Sequence, residues 1–150
     1  MMTIGTARAV ADLAEGLVLA TVEVAGSPAR TFRALTSEDV LRWWVRPDVF
    51  DTREWTGDVR AGGHWHGSGV GGGKPYTLEG EFTEVNPPRR LVHTWRLAGA
   101  SSTVAYDLEP TDGGTRITLR HTGLASRQAC AATCIGWETS FEELARMLRR

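Results

Sequence analysis

Two histidines separated by one residue, His64 and His66, have the type and spacing that could bind a metal ion. Alternate residues of a β-strand project from one face about 6.6 Å apart, so both imidazoles could reach one zinc ion. Zinc needs a third protein ligand, and the candidates, Glu79 and Glu81, come from another predicted strand. If Trp65 points inward, both histidines point to solvent. We therefore expect no metal site and interpret the pair as exposed residues at a sheet edge.

Four further side chains have the types needed for acid–base chemistry: His93, His121, Tyr106 and Glu81. Histidine titrates near neutral pH, which would suit an enzyme that acts on a bound substrate. None of the four belongs to a recognised catalytic motif, because the sequence has neither a Gly-x-Ser-x-Gly elbow nor a His-Glu-x-x-His segment. An inward histidine on a strand is more often a hydrogen-bonded core residue. We therefore assign no catalytic residue, and we keep an enzyme that uses these four side chains as the alternative hypothesis.

The glycine-rich segment 67–75, GSGVGGGKP, invites comparison with phosphate-binding loops. A P-loop lies between a strand and a helix, and the helix N-terminus binds the phosphate. This segment lies between two predicted strands, so the helix is missing. We predict a flexible loop that does not bind phosphate.

Composition and charge exclude several classes of protein. A chain of 150 residues with 41% hydrophobic content can form one domain with a sizeable core. A net charge of −1, with the basic residues scattered, gives no case for binding nucleic acid or an anionic membrane. No apolar run approaches the roughly 20 residues of a membrane span. We expect a soluble, cytoplasmic protein without a cofactor, either a monomer or a homodimer.

The C-terminal segment 126–150 predicts a long amphipathic helix, capped by the Ser126 hydroxyl. Its apolar stripe has the spacing of one helical face and consists of Cys130, Cys134, Trp137, Phe141, Leu144 and Leu148. Both cysteines therefore behave as small apolar residues rather than as a disulfide or metal pair. We predict that the opposite face is exposed to solvent. It carries Arg127, Glu138, Glu142, Arg146 and Arg149.

Seven upstream segments have the alternation or β-branched content of strands. They are 17–25, 52–57, 64–68, 76–85, 89–97, 101–109 and 115–122. Residues 1–16 have only a weak helical pattern and predict a flexible leader, which leaves 17–150 as the domain. One sheet whose apolar face packs on the long helix is an α+β arrangement.

Two short helices are predicted between the first two strands. Ser27 followed by Pro28 is a favoured helix start. A second helix is predicted to be capped by Thr36 or Ser37, with Trp44 facing inward.

Nine fragments, in order and with matching spacing, resemble the bacterial homologues of the Hsp90 ATPase activator C-terminal domain. They are 25–28 (AGSP), 32–36 (FRALT), 43–44 (WW), 62–63 (GG), 80–88 (GEFTEVNPP), 90–95 (RLVHTW), 114–115 (GT), 121–123 (HTG) and 136–144 (GWETSFEEL). That family, AHSA1-like, belongs to the START-like, Bet v 1-like (SRPBCC) superfamily. The resemblance implies a helix-grip fold, in which a curved antiparallel sheet of about six to seven strands wraps around the C-terminal helix.

The resemblance also implies a cavity between sheet and helix that holds a small apolar or amphipathic molecule, and large aromatic residues with polar tips suit such a site. Our candidate cavity residues are Phe32, Trp44, Trp65, Glu81, His93, Trp95, Tyr106, His121, Trp137 and Phe141. We expect Trp95 and Trp137 to meet there, beside Gly136. A glycine inside a helix costs about 1 kcal/mol relative to alanine, so a closely approaching strand or a ligand should compensate for it.

Two alternatives to simple ligand binding follow from the same resemblance. Some helix-grip relatives are polyketide cyclases or aromatases that use histidine, tyrosine and glutamate side chains of the cavity. The family name also implies contact with an Hsp90-like chaperone. The eukaryotic activator carries its stimulatory contacts on a separate N-terminal domain, for which 16 leader residues are too few. We therefore expect ligand binding rather than co-chaperone activity.

Overall fold

A single antiparallel sheet accounts for most of the computed structural model, which describes residues 6–149. Its nine strands within those residues are β1 (Arg8–Asp12), β2 (Leu17–Val24), β3 (Val45–Arg46), β4 (Phe50–Gly57), β5 (His64–Gly71), β6 (Lys74–Asn86), β7 (Arg90–Leu97), β8 (Ala100–Thr111) and β9 (Gly114–Thr122). The strand order is β1-β2-β9-β8-β7-β6-β5-β4-β3. The helices are α1 (Pro28–Leu35), α2 (Val40–Trp43) and α3 (Arg127–Met147).

The predicted α+β helix-grip arrangement is confirmed, because the curled sheet packs its apolar face on the long C-terminal helix. The predicted count of six to seven strands is wrong, since nine are present in residues 6–149. The two additional strands, β1 and β3, are the edges of the sheet. β3 has two residues and β1 exposes most of its side chains, so neither shows the apolar alternation that identifies a strand from sequence.

Strand β1 replaces part of the predicted flexible leader. Its residues pair with β2 from Arg8 opposite Thr21 to Asp12 opposite Leu17. The backbone N–H of Ala9 also donates to the Glu138 carboxylate at 3.0 Å, and that of Ala7 to Glu142. These two glutamates, predicted to face only solvent, therefore attach β1 to α3. Residues 1–5 of the predicted leader lie outside the described residues.

The predicted glycine loop is instead a tight hairpin. Strands β5 and β6 continue to Gly71 and Lys74, and only Gly72 and Gly73 form the turn, with φ of 57° and 78°. Two successive residues at positive φ match the twist of the flanking strands, which is why glycine is favoured there. Inside β5, a Cβ on Gly69 would lie 2.1 Å from the Asp51 carbonyl oxygen. The glycine at 69 thus permits close strand contact and is not a sign of flexibility.

The first short helix starts where the sequence predicts, and the second starts later than predicted. Ser27 caps α1 as predicted, since its hydroxyl accepts the Arg30 N–H at 3.2 Å. Helix α2 begins at Val40 with Asp39 as its N-cap residue, not Thr36 or Ser37, and is four residues long. The Trp43 side chain is fully buried and donates to the Ala34 carbonyl, which ties α2 to α1.

Helix α3 lies across the concave face of the sheet. The Ser126 hydroxyl accepts the Ala129 N–H at 3.0 Å, which confirms the predicted cap. The backbone of α3 approaches β1, β2, β3 and α2, and large side chains fill the space towards the middle of the sheet. Among residues 6–149, no helix is long and apolar enough to cross a membrane.

Candidate functional site

A cluster of indole rings joins α2, α3 and the middle of the sheet. Trp44, at the end of α2, has its ring centroid 5.0 Å from Trp95 of β7 and 5.4 Å from Trp65 of β5. Trp137 of α3 lies 5.6 Å from Trp95, which confirms that these two residues meet between sheet and helix. The contacts are tilted or edge-on, the favoured geometry for aromatic pairs.

A cleft of about 390 Å³ opens beside this cluster, between α3 and strands β3 to β7. Its helix wall consists of Ala132, Thr133, Gly136, Trp137 and Ser140. The sheet wall consists of Thr52, Tyr76, Leu78, Trp95 and Leu97, with Trp44 beside them. The remaining lining residues come from the β3–β4 turn and the β5–β6 hairpin and are Arg46, Val49, Phe50, Gly71, Lys74 and Pro75. The walls are mainly apolar.

Three of the ten predicted cavity residues, Trp44, Trp95 and Trp137, line this cleft. Six others are buried in the core outside the lining, namely Phe32, Trp65, His93, Tyr106, His121 and Phe141. Glu81 is exposed, because its neighbour Phe82 takes the inward position of β6.

Several lining residues were not candidates from sequence. Thr52, Tyr76 and Leu78 lie on predicted strands, yet nothing in those strands shows which residues face the empty space. The residue in the sequence that could have indicated the position of the cleft was Gly136, a glycine inside a helix. A Cβ built there would have no atom within 4 Å, so the glycine borders open space and no strand approaches it.

His121 is held in one tautomer by Trp137. The indole N–H of Trp137 donates to His121 Nδ1 at 2.9 Å, and an indole nitrogen can only donate. The proton of the neutral imidazole is therefore on Nε2, 2.7 Å from the Ser102 hydroxyl oxygen. A protonated Nε2 cannot accept the serine proton, so this serine–histidine contact is not a nucleophile–base pair. The arrangement fixes the Trp137 ring in the cleft wall.

Burial keeps both core histidines uncharged. Burial lowers the pKa of His121 to about 3, and the neighbouring His93 lowers it in the same direction. Burial also lowers the pKa of His93 to about 4, and the hydrogen bond of its Nδ1 with the Thr94 carbonyl opposes that effect. Neutral imidazoles in an aromatic core are typical of structural residues.

The cleft contains a small polar group of defined orientation. The Thr52 hydroxyl donates to the Trp44 carbonyl at 2.7 Å, so the 2.6 Å contact between Thr52 and Tyr76 must use the phenol proton. The phenol oxygen keeps lone pairs that can accept a hydrogen bond. Burial raises the pKa of Tyr76, an effect partly offset by Thr52 and strengthened by Asp51.

Trp44 supplies an unused donor. Its side chain is 4% exposed, and its indole Nε1 has no hydrogen-bond partner among residues 6–149. An unpaired buried donor is costly. Because Trp44 lines the cleft, an acceptor on a bound molecule or a water could remove that cost.

The histidine pair of β5 lies away from the cleft lining. Trp65 is buried and both His64 and His66 are exposed, as expected from strand alternation. Within residues 6–149, no group of three or more histidine, cysteine, aspartate or glutamate side chains is arranged to hold a metal ion. Cys130 and Cys134 are free thiols.

Comparison with known families gives one match. Residues 25–149 match the model of a family described as Activator of Hsp90 ATPase homolog 1-like protein. No curated protein matches the sequence significantly.

Solved bacterial structures have the same fold. A protein from Chromobacterium violaceum superposes with a TM-score of 0.81 at 20% identity, covering 89% of this chain and 98% of that one. A protein from Rhodobacter sphaeroides has a TM-score of 0.78 at 23% identity, covering 95% and 97%. The AHSA1 protein from Silicibacter pomeroyi has a TM-score of 0.74 at 27% identity, covering 88% and 96%.

Proposed function

This chain belongs to the family of Activator of Hsp90 ATPase homolog 1-like proteins, and we propose that it binds a small apolar or amphipathic molecule in the cleft between α3 and the sheet. Family and fold together are those of a ligand-binding or chaperone-related module. The choice between these two classes depends on the cleft.

The observation that carries the proposal is the empty space in front of Gly136. A core that existed only for stability would be filled at this position, because protein interiors pack as densely as organic crystals. Here a Cβ would meet nothing within 4 Å, and the cleft volume of about 390 Å³ is in the range of small-molecule sites. Keeping a glycine in mid-helix costs about 1 kcal/mol relative to alanine, and it leaves the cleft open.

Polar groups support the same proposal. Trp44 Nε1 is a free donor, and the Tyr76 oxygen is a free acceptor, each on a lining residue. A few polar groups within apolar walls orient a ligand without making the site generally polar. A core packed for stability alone would gain from pairing these groups.

The test uses a neutral fluorescent probe, N-phenyl-1-naphthylamine, and two substitutions of one residue. Wild-type protein should bind the probe with quenching of tryptophan emission and a higher Tm, because only the folded state binds. Gly136→Leu should abolish binding while the protein stays folded, since its side chain fills the open space. Gly136→Ala is the matched control, because it adds one methyl group and should retain binding.

Two results would contradict the proposal. Gly136→Leu protein that binds the probe as tightly as Gly136→Ala would place the probe elsewhere. Wild-type protein that binds neither this probe nor any member of a panel of fatty acids, flavonoids, steroids and polyketides would favour a chaperone-related interaction module.

Localisation in the cytoplasm is part of the same proposal. Cys130 and Cys134 are both unpaired, and free thiols are typical of a reducing compartment.

A further inference from the structure

We propose that the cleft selects apolar molecules that carry a carboxylate, which Arg46 and Lys74 bind. The inference rests on the proposed function and adds the charge of the ligand to it. Both cations line the cleft together with its apolar walls.

The two cations stand on one row of the sheet. Arg46 pairs with Phe50, Phe50 with Gly71, and Gly71 with Lys74, so the row crosses β3, β4, β5 and β6. Directly opposed residues of antiparallel strands share a face, and all four members of this row line the cleft. Neighbouring strands are about 4.8 Å apart, which puts the two cationic residues roughly 14 Å apart at the backbone. Long side chains can reach towards each other over that distance, across Phe50 and the Tyr76 ring, which a Cβ on Gly71 would meet at 3.3 and 3.5 Å.

Neither cation is neutralised by a carboxylate of the described residues. Arg46 and Lys74 form no ion pair among residues 6–149, and the cleft lining contains no aspartate or glutamate. The nearby Asp51 alternates to the outer face of β4 and pairs with Arg53 at 3.2 Å. Asp48 is exposed in the β3–β4 turn and is not part of the lining.

Charge and shape together define the ligand class. A cleft with apolar walls and charges of one sign concentrates the electrostatic potential and attracts the opposite charge. A carboxylate accepts charge-assisted hydrogen bonds from both guanidinium and ammonium groups. A small hydrophilic anion would leave the three indole faces uncovered, so the fitting molecule has an apolar body and an anionic end.

The experiment compares 2-naphthoic acid with 2-naphthalenemethanol by isothermal titration calorimetry at pH 7.5. The two molecules share one ring system and differ in charge. We expect the acid to bind wild-type protein at least 10-fold tighter, and we expect the preference to shrink at high salt because the cations are partly exposed. In the Arg46→Gln/Lys74→Gln double variant the preference should fall below about 2-fold, with the affinity for the alcohol unchanged.

Arg120→Gln is the matched control, because it removes one positive charge from the exposed face of β9, far from the cleft lining. This variant should keep the wild-type preference, and circular dichroism checks that every variant is folded. Equal affinity of wild type for acid and alcohol would overturn the charge inference and leave the proposed function standing. Failure of both molecules to bind wild type would overturn both.

Discussion

The hydrogen bond from Trp137 to His121 links the wall of the cleft to the protonation state of the core. A neutral imidazole accepts the indole proton at Nδ1, whereas a charged one has no lone pair to accept it. Protonation of His121 would therefore leave the Trp137 donor unpaired and place a charge in an aromatic cluster. The hydrogen bond that orients Trp137 in the cleft wall therefore requires a neutral His121.

Stability should consequently fall as the pH falls from about 6.5 towards 4. The unfolded histidines titrate near 6.5, while burial lowers the folded-state pKa of His93 to about 4 and that of His121 to about 3. In this window the unfolded state binds more protons, so the free energy of unfolding rises with pH and is fully regained above about 6.5. The slope should approach ~1.4 kcal/mol per pH unit for each histidine. Urea denaturation at pH 7, 6 and 5 measures it.

The variant His121→Gln should have a shallower slope than wild type over the same window. The control His64→Gln removes an exposed histidine and should retain the wild-type slope. A free energy of unfolding that stays constant from pH 7 to 5, or a His121→Gln slope equal to that of wild type, would contradict the buried neutral state.

At the scale of elements, the sequence predicts the inward face of a helix or strand wherever its apolar residues repeat with one period. The stripe of α3 and the alternation of β7, β8 and β9 specify which residues are inward, because one face of each is mainly apolar. Strand β1 has no such pattern. It pairs with β2 and donates two backbone hydrogen bonds to Glu138 and Glu142, which follow β1 by more than a hundred residues and look like ordinary exposed charges in the sequence.

The residues that line the cleft also fall into those that the sequence identified and those that it did not. Trp44, Trp95 and Trp137 were recognisable as large aromatic residues on inward positions. Thr52 and Tyr76 could not be recognised as lining residues, because their position opposite α3 depends on the strand registers and on a bulge between Thr52 and Glu54. Register across several strands is a tertiary property that a local pattern does not carry.

The attachment of β1 to α3 gives a prediction at this scale. Glu138→Ala combined with Glu142→Ala should destabilise the protein by about 1 kcal/mol, since two hydrogen bonds to carboxylates are lost at partly exposed sites. Amide hydrogen exchange in β1 should accelerate, because the two backbone N–H groups lose their carboxylate acceptors on α3. Exchange of the peptide covering residues 6–13, followed by mass spectrometry, measures this directly.

Glu143→Ala is the control for that experiment. Glu143 lies on the same helix and pairs with Arg146, without contact to the backbone of β1. Its removal should leave β1 protected. Unchanged protection of β1 in the double variant would mean that the two carboxylate hydrogen bonds do not hold the edge strand in place.

At the scale of the whole molecule, one core and one cleft share the concave face of the sheet. Helix α3 approaches the β1–β2 edge directly, and indole rings fill the wider space towards β5 and β7. The cleft occupies the part of that space where Gly136 provides no side chain. Phe141 thus belongs to the packed core and Gly136 to the cleft wall, so substitutions on one helix can separate packing from the proposed ligand binding.

Phe141 tests the contribution of α3 to the packing of the core. Its side chain is fully buried, and its ring centroid lies 6.2 Å from that of Trp43 in α2 and 5.8 Å from that of Trp137. Because it does not line the cleft, its loss acts on the common core. Phe141→Ala should lower the free energy of unfolding by about 3 to 5 kcal/mol through lost burial and a residual cavity.

Chemical denaturation of Phe141→Ala beside Ile135→Ala decides the point. Ile135 is on the same helix but 50% exposed, so its truncation should cost less than about 0.5 kcal/mol. Tryptophan fluorescence and far-UV circular dichroism should give coincident transitions in both variants, because a single core unfolds cooperatively. A loss below about 1 kcal/mol in Phe141→Ala, the level of an exposed substitution, would mean that α3 is not the element on which the sheet folds. Separate transitions would mean that the helix and the sheet do not share one core.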